Sequence, residues 1–225
     1  MNQDRIITSQ STSQASALET NKVLRNTYTL LSMTLFFSAL MAGVSATLNL
    51  PHPGLIITLV GYFGLLFLTS KFRNSGLGLL FVFALTGFMG YTLGPIISAY
   101  LTMFSNGDQL VMMAMGGTGV IFLGLSAYAL TTRKDFSFMG ASLMIGILVA
   151  FVAGLAAVFL NIPALSLGVS VMFILLMSGL ILYETSSIIH GGETNYIMAT
   201  VTLYVSIFNL FTSLLHLLGA FAGEE

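Results

Sequence analysis

Residues 164–189 read ALSLGVSVMFILLMSGLILYETSSII, residues 190–196 read HGGETNY, and residues 197–219 read IMATVTLYVSIFNLFTSLLHLLG. Each flanking run exceeds the ~20 apolar residues that a helix needs to cross hydrocarbon. The link between them is short and polar, so the pair reads as two antiparallel membrane helices. Glu184 interrupts the first run. A carboxylate in hydrocarbon costs at least about 2.5–3.5 kcal/mol unless it is paired, protonated or wetted. The second run carries Thr202, Ser206, Asn209, Ser213 and His216, spaced 4, 3, 4 and 3, which places them on one helical face. Glu184 is therefore either a functional site facing that stripe or a helix-end acid that bonds locally and fixes packing.

Outward from this pair, composition excludes a water-soluble domain. Of 225 residues, 56% are hydrophobic and 7% charged, and mean hydropathy is +0.95; soluble domains carry about a quarter charged residues. Further apolar spans are expected at 26–48, 54–70, 77–103, 109–130 and 137–160, which makes seven with 164–189 and 197–219. The fold class is an all-α integral membrane protein of seven transmembrane helices, residues 22–219, in the lipid bilayer. Residues 1–21 are rich in Ser, Thr and Gln and read as a flexible tail, not a signal peptide, for want of an apolar core. Residues 220–225 form a short tail at the other terminus.

Loop charges orient the bundle. With the N-terminus in the cytoplasm, Arg5, Lys22, Arg25, Lys71, Arg73, Arg133 and Lys134, all 7 of the basic residues, fall inside. Seven spans then put the C-terminus outside. Glu184 would lie ~8 Å from the cytoplasmic end of its helix, and Ser206 and Asn209 roughly 13–18 Å in from the same face. Arg73 shares that face, so it is either a partner for Glu184 or an interfacial anchor. Gly90 and Gly94, and Gly146, Ala150 and Gly154, recur at four-residue intervals and suit close helix packing within the bundle. Pro95 is expected to kink the third span.

Chemistry-bearing motifs are scarce. There are no cysteines, hence no disulfide and no thiolate metal site. His52, His190 and His216 fall in places too far apart for a shared metal. No phosphate-binding loop or nucleophile elbow is present, so neither an enzyme nor a cofactor is expected. A net charge of -1 gives no case for nucleic acid.

Three stretches resemble the Bax inhibitor-1 (transmembrane Bax inhibitor motif) family. They are Gly87-Phe-Met-Gly90-Tyr-Thr-Leu-Gly94-Pro95, Tyr183-Glu184-Thr185 and Leu203-Tyr204-Val205-Ser206-Ile207-Phe208-Asn209-Leu210-Phe211. The stretches 22–28, 130–135 and 190–196 are similar to bacterial inner-membrane members of the family. The resemblance implies a last helix that is central and wrapped by the other six. It implies a partner, the membrane-anchored ATP-driven protease FtsH, with its HflK and HflC regulators. A modulator of that kind is gripped by its cytoplasmic N-terminal tail, here Met1, Asn2, Gln3, Asp4, Arg5, Ile6, Ile7 and Thr8 onward, and restrains attack on other membrane proteins. The alternative it implies is a calcium leak channel closed by a pair of acids on the sixth and seventh helices. Glu184 matches the first, but Ser206 stands at the second. A shared-proton latch needs two acids titrating together, so the latch is incomplete.

Overall fold

The structure is a computed structural model. It describes the backbone of residues 3–223 and the side chains of residues 18–223. Seven helices follow one another: α1 Gln3–Thr47, α2 Leu55–Lys71, α3 Gly76–Met103, α4 Gly107–Thr132, α5 Gly140–Phe159, α6 Pro163–Ile189 and α7 Tyr196–Ala222. A single 3-10 turn, Ser137–Met139, leads into α5. No strand occurs among the described residues. Six helices are long and apolar enough to cross a membrane; α2, at 17 residues, is a shorter apolar helix. Helix ends fall where the sequence punctuates. Asn49, Arg133 and Asn161 take left-handed backbone at φ near 50° just after α1, α4 and α5, and α6 starts on Pro163, whose missing N–H costs nothing there.

Two boundaries differ from expectation. The helical backbone of α1 begins at Gln3, so it runs back through the segment expected to be a flexible tail. Side chains of residues 3–17, and Met1 and Asn2 altogether, lie outside the described residues. At the other terminus α7 continues through Ala222, past the expected end at Gly219.

Close backbone approach organises the core. Gly87, Gly90 and Gly94 of α3 face α1, where a Cβ at Gly87 would meet the Phe37 ring at 2.6 Å and one at Gly94 would meet Ala42 O at 2.8 Å. Proline removes the N–H that would bond the carbonyl four residues back. Pro95 thereby frees Tyr91 O, and Ser45 of α1 donates its hydroxyl to that oxygen at 2.9 Å. Helix α3 continues on both sides of Pro95 to Met103. Tyr204 of α7, 1% exposed, closes the seam: its hydroxyl lies 2.6 Å from Ser38 Oγ and donates to Thr86 O at 3.2 Å.

Helix α7 packs against α1, α2, α3, α4 and α6, but not against α5. The wrapping is therefore not by all six other helices. Helix α5 lies against α6 because its small-residue face is matched there: a Cβ at Gly146 would meet Leu176, and one at Gly154 would meet Val169. Both small-residue seams are thus spent inside the bundle.

Candidate functional site

One end of the bundle gathers the polar chemistry, and it is built from loops. Ser186, near the end of α6, donates to Lys134 O and accepts the Phe136 N–H, each at 3.0 Å. That fixes the α4–α5 loop to α6. Asn195 does the same for the α2–α3 loop. Its Oδ1 accepts the N–H groups of Ile197 and Met198 at 3.1 and 3.0 Å, capping α7. Its Nδ2 donates to Arg73 O at 3.1 Å and Asn74 Oδ1 at 2.8 Å. Glu193 Oε1 accepts the Asn195 N–H at 2.6 Å. Asp135 Oδ1 accepts the Ser137 N–H at 2.8 Å, and hydrogen bonding by Ser137 holds its carboxyl below the usual range. Lys71, Arg73, Arg133 and Lys134 all lie at this end.

Just inside it lies Glu184, 5% exposed. Its Oε1 has no hydrogen-bond partner. Two further buried side-chain oxygens share that state, Thr27 Oγ1 on α1 and Ser126 Oγ on α4. Glu184 stands five residues before the end of α6, and Ser126 six before the end of α4. Between them the helices are tied: Tyr28 OH lies 3.3 Å from Thr185 Oγ1, and the Tyr28 and Phe122 rings are 6.2 Å apart. Thr200 of α7 donates to Thr27 O at 3.2 Å. An unpaired buried polar atom is expensive, so three at one end of a bundle mark a place where packing has yielded to something else.

The residues singled out in the sequence are not all brought together. Ser206 is fully buried, but its hydroxyl goes to Thr202 O of its own helix at 2.8 Å. Asn209 Nδ2 donates to Val205 O, also at 2.8 Å. Neither bonds to Glu184. Arg73 is exposed, and its carbonyl is what Asn195 holds. The backbone of Gln3–Thr8 is helical, and the side chains of Met1 through Thr8 lie outside the described residues. The polar stripe of α7 makes one inter-helix bond, from His216 Nδ1 to Ser170 Oγ at 2.8 Å. Sequence reasoning missed Thr27, Ser126 and Tyr28, and lone hydroxyls in apolar runs give no signal. Among the described residues, no group of three His, Cys, Asp or Glu could hold a metal.

Comparison with known proteins places this architecture. Residues 20–223 match the family described as Bax1-I, Inhibitor of apoptosis-promoting Bax1. The "Modulator of FtsH protease YccA" of Escherichia coli (strain K12) is 57% identical over 222 residues, covering 99% of this chain and 100% of that protein. The counterpart in Escherichia coli O6:H1, called "Inner membrane protein YccA", has the same identity and coverage. A membrane protein of Vibrio cholerae is 45% identical, covering 92% of this chain and 93% of its own. From the α1–α3 seam to the end of α7 the match is continuous, and the chain belongs to the Bax1-I family.

Proposed function

We propose that the protein is a non-enzymatic regulator of an FtsH-type membrane protease. It binds the protease through its N-terminal segment and membrane domain, with HflK and HflC alongside, and restrains degradation of other membrane proteins. The observation that carries this reading is the 57% identity, end to end, with a modulator of that protease. Physical support comes from α1. An unfoldase that grips residues 1–21 pulls directly on a helix tied to α7 through Ser38 and Tyr204 and to α3 through Ser45 and Tyr91 O. Such a substrate yields slowly and keeps the protease occupied. The direct test is reconstitution of the full chain with the protease and a second membrane substrate, reading the rate at which that substrate is lost.

The proposed setting is the bacterial inner membrane, with all seven helices spanning it. The end that carries the basic loops and Glu184 faces the cytoplasm. Reporter fusions at Asn106 and Gly223 are expected to read as external. A cytoplasmic signal at Gly223 would mean that one helix, most simply the short α2, does not cross.

The calcium-channel alternative draws on one feature, the buried Glu184 with its unpaired Oε1. It lacks the second acid, and the hydroxyl of Ser206 at that position is spent on its own helix. The regulator reading is therefore preferred.

A further inference from the structure

Helix α2 has 17 residues, against 20 in α5 and 26 to 28 in α3, α4, α6 and α7. At ~1.5 Å per residue it is about 25 Å long, which falls ~5 Å short of the hydrocarbon core of an ordinary bilayer. Its flanks bar a longer apolar run. Asn49, Pro51, His52 and Pro53 precede it, and Lys71, Arg73 and Asn74 close it. The face it turns outward is apolar and regularly spaced: Ile56, Val60, Phe63 and Phe67 are 76%, 69%, 46% and 65% exposed. Ser70 and Lys71, both exposed, continue that face at its end.

A short helix in a thick bilayer draws in long flanking side chains, gathers neighbours, or thins the lipid around it. Lys71 and Arg73 have long side chains, but they serve one end only. Sliding is blocked because α2 is held at three heights. At one end Tyr91 of α3 donates its hydroxyl to Pro51 O at 2.6 Å. Midway, a Cβ at Gly61 would meet the Phe88 ring at 2.5 Å, so α2 is pressed against α3. At the other end Asn195 donates to Arg73 O at 3.1 Å and to Asn74 Oδ1 at 2.8 Å. The mismatch therefore falls on whatever covers the outward face. A partner helix of ordinary length seated there would meet the same shortfall, whereas fluid acyl chains can shorten. Helix α4 makes the contrast: it does not pack against α2, is 26 residues long, and has Val120 74% exposed near its middle.

We propose that the α2 side of the bundle is a surface for thinned lipid, which selects phospholipids of short acyl chain over long ones. The proposal rests on the reading that α2 crosses the bilayer, and adds what that crossing does to the lipid.

The chain has no tryptophan, so one introduced indole reports one face. Val60→Trp places it on α2 and Val120→Trp on α4. Each full-length variant is put into vesicles of equal parts 14-carbon and 22-carbon monounsaturated phosphatidylcholine, with one or the other brominated on its chains to quench the indole. At Val60→Trp the 14-carbon lipid is expected to be about three-fold enriched over the 22-carbon lipid, the scale of a few Å of mismatch. At Val120→Trp it should not be enriched. Adding Ser70→Leu/Lys71→Leu to Val60→Trp lengthens the apolar face, and should bring the ratio back toward one. Equal quenching by the two lipids at Val60→Trp, or the same enrichment on α4, overturns the proposal. Emission typical of apolar surroundings with quenching by neither lipid also overturns it, in favour of another helix on that face. Emission typical of water at Val60→Trp would instead show that α2 does not cross, and would remove the seven-span reading together with this one. No protease is present, so each of these failures leaves the regulatory reading standing.

Discussion

Deletion of residues 1–20 is expected to yield a protein that inserts and folds normally but is degraded much more slowly in cells that contain the protease. The segment is polar, and the four inter-helix hydrogen bonds that tie α1 to the bundle among the described residues all lie beyond it, at Thr27, Tyr28, Ser38 and Ser45. Removing it therefore breaks none of those four hydrogen bonds. What it removes is the proposed cytoplasmic hold for an ATP-driven unfoldase. Pulse-chase labelling of the full and shortened chains, in cells with and without the protease, checks the result. The difference should vanish when the protease is absent. Equal lifetimes of both chains in the presence of the protease would remove the tail from the account.

A second substitution should have a large effect on stability, and its neighbour the reverse. Gly90 presses on the backbone carbonyl and hydroxyl of Ser38, and a Cβ there would also meet the Ser38 carbonyl carbon at 2.9 Å. Backbone cannot rotate away as a side chain can, so α1 and α3 must separate. That separation would also break the Ser38–Tyr204 contact. Gly90→Leu should therefore destabilise by about 3 kcal/mol, the upper end of the range for overpacking. Gly43, exposed on α1, has nothing within 4 Å of its Cβ position. Gly43→Ala should be neutral or stabilise by up to about 1 kcal/mol, from helix propensity alone. Denaturation in mixed micelles, followed by near-ultraviolet dichroism of the tyrosines, measures both. A harmless Gly90→Leu would contradict the α1–α3 seam. On the mechanical account it should also make the protein a faster substrate, because α1 is held less firmly.

The helices themselves were legible because charge-free runs end at Lys, Arg, Pro or Asn-Gly-type punctuation, and lipid leaves a backbone few other options. The seam glycines were legible for a related reason, since a four-residue interval of small residues has one economical use in a bundle. Partnership between helices was not. The stripe from Thr202 to His216 looked like a facing surface for Glu184, yet Thr202, Ser206 and Asn209 bond to carbonyls of their own helix and His216 meets Ser170 instead. In apolar surroundings such a carbonyl is always at hand, so spacing alone cannot say whether a hydroxyl will look outward. The bonds that reach α1 come instead from Thr200 and Tyr204, on another face of α7. The outlying position of α5 was equally hidden, because its run is as apolar as those of its neighbours. At the candidate site, Glu184 was visible as a charge in hydrocarbon. Its company of Thr27 and Ser126 exists only through the packing of α1, α4 and α6.

The central claim is that this chain restrains a membrane protease by occupying it. The measurement that bears on it most directly uses vesicles containing a purified FtsH-type protease and a labelled second membrane protein as substrate. The full chain is added at increasing ratio. The account predicts that loss of the labelled substrate slows several-fold as the ratio rises, with ATP hydrolysis continuing. An unchanged rate of substrate loss at every ratio would contradict it.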